Sequence, residues 1–525
     1  MNYKPHYALY CAIVVSLGGF VFGFDASVIS GVVGFVTTEF NLTPIQSGFV
    51  VAAPTLSGLI ATPLMGPFAD TFGRKKVLIF IAFLYLMSAF ASAFATSYLM
   101  LVSARGIGGI AFTSLMIAPM YIGEISPAAL RGRRVSINQM NIVLGFSAAY
   151  FANYFILSMS GWDSAFVTNL GLDTNTWRWM LGLEIIPAAV FFLALFLIPS
   201  SPRWLMLKGR EPEAREVISS LLPESEVETE ITQIKQSSVT QKAPILESLA
   251  FIFGPKMRLA LIVGLILGVA QQITGINAIF FYAPTIFEQS GIGTNAAFAQ
   301  AVLVGVINVI FTIMAMALID KWGRKPLLVL GLSGIAASMI LCSYGFSSAT
   351  YEITPQSIVE IKKVENIEES FDPDSLNALL GTVYQSDVAF KNALQDAIGV
   401  EAARDHESSL IKNSVDMNAV IILIGILCFV ASFAISLGPV MWVMFAEIFP
   451  NKLRGVAISV VGAANSLVSF SIQFWFPWEL ATFGAAFTFG LFGAFAVFFL
   501  MMVLWIVPET KGKSLEELEA LFTKE

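Results

Sequence analysis

The chain has 525 residues, of which 56% are hydrophobic and only 13% charged, and its mean hydropathy is +0.76. A soluble protein of this size carries about 25% charge, so the composition excludes a soluble globular protein and calls for one that crosses a bilayer many times. The net charge of −7 is small for the length, and its distribution along the chain carries more information than its sum.

The opening MNYKPHY leads into a long apolar run without a small-residue cleavage site, so no removable signal peptide is expected. Runs of about 20 apolar residues, enough to cross about 30 Å of hydrocarbon as a helix, follow in two sets. The first set lies at 8–33, 48–68, 76–97, 99–122, 135–158 and 178–198. The second lies at 259–286, 298–319, 326–346, 417–444, 456–477 and 483–507. The predicted fold class is an all-α polytopic membrane protein with twelve spans in two six-helix halves. The predicted organisation is an N-terminal bundle at 1–207, a cytoplasmic helical linker at 208–257, a C-terminal bundle at 258–510 with an external insert at 347–416, and a cytoplasmic tail at 511–525.

Lys and Arg set the orientation. The loops with Arg74-Lys75-Lys76, Arg131 to Arg134, Arg203 to Arg215, Lys321 to Lys325, Lys452 and Arg454, and the tail Lys511 to Lys513, all fall on the side of the termini. The alternate loops carry Glu39, Asp163, Asp173, Glu288 and Glu479. Both termini are therefore expected in the cytoplasm, with the protein multi-pass in the cell (inner) membrane. The linker segment REPEAREVISSLLPESEVETEITQIKQ has the charge spacing of short surface helices. The acidic insert at 347–416 contains helix-like pieces, and reads as a partly helical cap or as a solvated spacer without transport chemistry.

An internal repeat ties the halves together. ADTFGRKKVLIF after span 2 matches IDKWGRKPLLVL after span 8, and GEISPAALRGRRVS after span 4 matches AEIFPNKLRGVAIS after span 10. The second pair of motifs stands further apart, and the insert accounts for the difference. Each motif sets a carboxylate near a guanidinium at a helix end. Asp70, Glu124, Asp320 and Glu447 are expected to pair with Arg74, Arg131, Arg324 and Arg454 as a cytoplasmic gate. That latch is expected to close when the site faces outward and to break when it faces inward.

Polar residues inside the apolar runs mark function. Span 7, GLILGVAQQITGINAIFFYAP, holds Gln271, Gln272 and Asn277 between Gly275 and Pro284. A carboxamide in hydrocarbon without a partner costs several kcal/mol. Three so close together, beside a helix break, predict a polar site inside the bundle. An intramembrane carboxylate is likewise functional by default. At 1.5 Å per residue, Asp25 in span 1 lies roughly 15 Å deep and Arg105 in span 4 roughly 10 Å deep, so the two can meet. Glu184 in span 6 is expected to join them. The three cysteines are dispersed and the two histidines lie outside the spans, so no disulfide framework and no metal site are expected.

The motifs together carry a resemblance. RGIGGI, MYIGEISPAALRGRRVSINQ, WRWMLGLEIIPA, SSPRWL, QQITGINAIFFYAP, DKWGRKPL, GPVMWVMFAEIFPNKLRG and VPETKGKSLEELE resemble the sugar porters of the major facilitator superfamily. The pattern is closest to bacterial sugar–proton symporters of the xylose type and is similar to glucose facilitators. The resemblance covers nearly the whole chain except the insert. It implies that sugar hydroxyls are bound by Gln271, Gln272 and Asn277, by Gln139 in span 5, by Asn308 in span 8 and by Asn465 in span 11, with the Trp442 indole against the sugar ring. Carboxamides suit this task because they both donate and accept. It also implies that Asp25 takes up a proton and releases Arg105. Three departures reshape the site: Ser466 where a second Trp is usual, Phe146 where the symporter pattern has Gln, and Phe281 at a position often filled by Tyr.

The expected function is secondary active import of a monosaccharide, hexose or pentose, with protons by alternating access. The alternatives are a facilitative sugar or inositol uniporter and, more remotely, a non-transporting sugar sensor. The expected partners are a small-molecule sugar, protons and the lipid bilayer, without nucleic acid, and the chain is expected to be monomeric. No enzyme activity and no cofactor are expected.

Overall fold

The computed structural model describes residues 6–127, 130–238, 245–363, 370–450, 453–513 and 515–522. Lys452 and parts of the expected linker, insert and tail lie outside the described residues. Long helices dominate, because in lipid each backbone N–H and C=O must be satisfied within its own segment.

Spans 1 to 6 are Tyr7–Glu39, Pro44–Phe72, Arg74–Ala93, Tyr98–Ile125, Arg131–Ser160 and Thr176–Leu197. Spans 7 to 10 are Pro255–Glu288, Thr294–Trp322, Arg324–Ser347 and Ala419–Ile448. The last long helix, Arg454–Ile506, is 53 residues long and turns sharply at Gly484, where φ is 81°. That left-handed conformation suits glycine, and it divides the helix into spans 11 and 12. With twelve spans the termini share one face, here the terminal face, and the insert lies on the other, the insert face.

Span 1 runs on to Glu39, past the end of its apolar run. Its polar tip is held by Arg178 at 2.6 Å and by the Trp177 indole N–H at 2.5 Å. The sequence marks a break in span 7, and the structure has one at Gly275, with φ 95°. Span 10 breaks at Ser436, while spans 4 and 6 are only locally interrupted, between Ala111 and Ser114 and between Gly182 and Ile185, with the backbone staying right-handed helical.

The insert is a packed cap rather than a solvated spacer. Three short antiparallel strands, β1 (Thr350–Glu352), β2 (Val383–Tyr384) and β3 (Val415–Asp416), form a sheet in the order β2-β1-β3. Tyr351, Ile358, Leu376, Phe390, Leu394 and Leu410 form its core. Several bonds fix the cap to the second half. Asp387 accepts the Ala485 N–H at the Gly484 turn at 3.1 Å, and Gln289 accepts from Lys391 and donates to Glu407, both at 2.8 Å. The cap also touches the first half: Arg404 donates to the Leu42 carbonyl at 3.2 Å and to the Asn41 side chain.

Candidate functional site

The break in span 7 turns its amides toward span 11. Asn277 donates to Gln272 Oε1 at 2.7 Å, and Gln272 donates to Gln271 Oε1 at 3.2 Å and to Asn465 Oδ1 at 3.4 Å. Asn465 donates to Gln271 Oε1 and to the Gly268 carbonyl, both at 2.8 Å. Gln271 in turn donates to the carbonyls of Leu437 and Gly438 at 3.4 and 3.5 Å. It thereby holds the start of the helix Leu437–Ile448, which carries Trp442. That indole is 48% exposed and packs edge-on against Phe445 at 5.8 Å. A large apolar ring left open beside a polar cluster is an amphipathic platform. Uncharged donors and acceptors with one aromatic face match the chemistry of a polyhydroxylated neutral ligand.

The structure brings Gln271, Gln272, Asn277 and Asn465 into one network. Asn308 is buried on span 8 and Gln139 is half-buried on span 5. Among the described residues, no hydrogen bond joins either one to the network. Two members were missed by the sequence reading. Ser469 accepts from Asn277 at 2.6 Å and from Gln473 at 2.8 Å, and Gln473 accepts from Thr55 of span 2 at 2.9 Å. Ser469 and Gln473 follow Asn465 at i+4 and i+8, so helical spacing was the available signal.

Asp25, Arg105 and Glu184 form a second, charged cluster, and are 1%, 2% and 2% exposed. Arg105 meets Asp25 at 3.1 Å, and its Nε donates to the Val50 carbonyl at 3.2 Å. That carbonyl is free because Pro54, four residues on, has no N–H to give it. The Glu184 carboxylate interacts electrostatically with both partners from the interruption in span 6. Among the described residues, Asp25 Oδ2 and Glu184 Oε1 have no hydrogen-bond partner. Two carboxylates and one guanidinium sum to one negative charge, which a single proton cancels.

The halves meet closely on the insert face. The Tyr150 hydroxyl donates to the Phe280 carbonyl at 2.5 Å, and Ser147 donates to the Gly305 carbonyl at 2.7 Å. A Cβ on Gly48 would lie 2.0 Å from the Phe474 carbonyl oxygen. On the terminal face the repeat motifs build two matching ion-pair clusters. Arg74 pairs with Asp70 at 3.1 Å and Glu124 at 3.0 Å, and Arg324 pairs with Asp320 at 3.2 Å and Glu447 at 2.7 Å. Ser201 donates to Glu124 at 2.5 Å and Thr510 donates to Glu447 at 2.6 Å, a further symmetry that the sequence reading did not use.

Arg131 and Arg454 stand outside these pairs. Arg131 is exposed at the start of span 5, and Arg454 donates to the Phe449 carbonyl at 3.2 Å. Each cluster joins spans of a single half, and both are formed in this structure, whose halves meet on the insert face.

The family model for the sugar (and other) transporters matches residues 11–361 and 406–522. The arabinose-proton symporter of Bacillus subtilis is 32% identical over 526 residues, covering 100% of this chain and 97% of that protein. The D-xylose-proton symporter of Escherichia coli is 32% identical, again covering 100% and 97%. Among solved structures, the inward-open xylose transporter XylE from E. coli superposes with a TM-score of 0.72 at 29% identity, covering 98% of this chain and 100% of that one. The proton:xylose symporter XylE bound to 6-bromo-6-deoxy-D-glucose gives 0.69 at 31% identity, covering 98% and 99%.

Proposed function

Because this chain belongs to the sugar transporter family, we propose that it imports a monosaccharide, hexose or pentose, together with protons by alternating access of its two six-helix halves. The observation that carries this reading is the charge-free amide network of Gln271, Gln272, Asn277 and Asn465 at mid-depth of the bundle. Relatives named as arabinose- and xylose-proton symporters, aligned end to end, support the substrate class and the proton.

Within this reading, Gln271, Gln272, Asn277 and Asn465 hold sugar hydroxyls and Trp442 covers the ring, with Gln139 and Asn308 reaching the sugar from spans 5 and 8. Asp25 is the proton-coupling carboxylate. Protonation removes its charge from the pair with Arg105, and the freed guanidinium shifts the balance between the two orientations of the halves. Glu184 tunes that exchange. The basic loops support a cytoplasmic terminal face and an external cap. The ion-pair clusters around Arg74 and Arg324 keep each half rigid while the halves rock. The boundaries at 1–207, 208–257, 258–510 and 511–525 then separate two moving bundles from their linker and tail. The chain works as a monomer in the inner membrane.

Purified full-length protein in liposomes tests this directly. Radiolabelled arabinose, xylose, glucose and inositol are offered under an imposed inside-alkaline pH gradient. A pentose or hexose should accumulate above its external concentration. Asp25→Asn should abolish accumulation while sugar counterflow continues. Accumulation that survives in Asp25→Asn overturns the coupling role, and equilibration without accumulation in the parent identifies a uniporter.

A further inference from the structure

The network around Asn277 continues toward the insert face and ends on the other half of the molecule. Ser469 Oγ receives the Asn277 amide at 2.6 Å and the Gln473 amide at 2.8 Å. Gln473 Oε1 then accepts the Thr55 hydroxyl of span 2 at 2.9 Å. Gln473 is 1% exposed, and a buried amide holds its orientation because any loss of partners is costly. Its backbone is held as well. Pro477 cannot donate to the Gln473 carbonyl, and the Tyr282 hydroxyl takes that place at 2.9 Å. Tyr282 is where the second helix of span 7 leaves helical geometry, with φ −130°. Gln473 therefore joins span 11, the bent part of span 7 and, through Thr55, the opposite half.

Building on the assignment of Asn277 and Gln272 as sugar ligands, we propose that Gln473 is a positioning residue: it carries occupancy of the sugar site through Ser469 to Thr55 and sets how firmly the insert face seals. A sugar hydroxyl at Asn277 draws away the N–H that Ser469 now receives. Ser469 is left with Gln473 as its donor, that bond tightens, and the amide is fixed with its oxygen toward Thr55. The Thr55 bond forms when the insert face is closed, so binding favours sealing. This is a differential contact between two states, which a ligand needs in order to bias them. One buried hydrogen bond corresponds to about a five-fold change in such an equilibrium.

The test uses the full chain in liposomes with radiolabelled D-xylose as probe, reading equilibrium binding and counterflow separately. Gln473→Leu and Thr55→Val should each slow counterflow about five-fold and weaken binding by no more than that same factor, as reciprocity requires. The double variant should be no slower than either single one, because both remove the same bond. Thr55→Ser keeps the hydroxyl and should restore the parent rate. If Gln473→Leu does not fold, Thr55→Val and Thr55→Ser test the same bond from its other end. Unchanged counterflow, multiplied effects in the double variant, or loss of binding in Gln473→Leu each overturn the proposal. Gln272→Ala separates this from the underlying assignment. If that variant binds xylose like the parent, the sugar site is misplaced; if it loses xylose while Gln473→Leu transports normally, only the relay through Gln473 fails.

Discussion

Gln272 stands at the centre of the site, accepting from Asn277 and donating to Gln271 and Asn465. Truncating it removes a proposed sugar ligand and a partner of three other amides. Gln272→Ala should weaken sugar binding at least about ten-fold, the loss of a buried hydrogen bond or more, as measured by calorimetry or radioligand binding. Trp442→Ala should cost a similar factor through lost ring contact, with the amide network intact. At this scale much was legible. Amides and a carboxylate inside apolar runs are expensive, so Gln271, Gln272, Asn277 and Asp25 announced themselves, whereas Asn465 came only from the family resemblance. Ser469 and Gln473 did not. Serine is common in membrane helices, and the importance of Gln473 comes from Thr55, which lies 418 residues away in the chain.

Three prolines act alike at the scale of the helix. Pro54, Pro284 and Pro477 each deny an N–H to the carbonyl four residues earlier. Those carbonyls belong to Val50, Phe280 and Gln473, and side chains of Arg105, Tyr150 and Tyr282 take them. Tyr150→Phe should leave the Phe280 carbonyl unpaired and lower stability by about 1–3 kcal/mol, read as a fall in melting temperature. Pro284→Ala supplies the missing N–H, so adding it to Tyr150→Phe should recover part of that loss. Gly48 sets a limit on closure, since a methyl there would meet the Phe474 carbonyl at 2.0 Å. Gly48→Ala should bind sugar yet transport poorly, because the insert face no longer seals. Span positions were readable from run length, and the span 7 break from Gly275. The interruption in span 4 was not, because Phe112-Thr113 carry no glycine or proline, whereas that in span 6 lies where Pro187 can give no N–H to the Leu183 carbonyl.

Across the whole molecule the repeat was the clearest sequence signal, and its two ion-pair clusters appear in matching places. What the repeat could not reveal is that each cluster stays inside one half. The cap was the least legible part, because strands of two or three residues are too short to show alternation. Its attachment has a pH dependence. Burial alone pushes the Glu407 carboxyl up, but Lys391, Gln289 and Arg404 outweigh it and hold the group below its ordinary range. A lowered folded value stabilises the docked cap above the unfolded value, and that contribution disappears as pH falls below about 4.3. Hydrogen exchange in the cap should therefore rise at acid pH, and Glu407→Gln should show the faster exchange already at neutral pH. Arg404→Ala should loosen the cap from the Asn41–Leu42 loop while leaving its sheet protected.

That Arg404 clasp has a practical side. Bonds to Gln289 and Ala485 anchor the cap to one bundle, so it rides with that bundle and lets go of the other each time the insert face opens. A nanobody or cyclic peptide that straddles the cap and the Asn41 turn would jam the cycle from the insert face, without ever entering the space between the bundles.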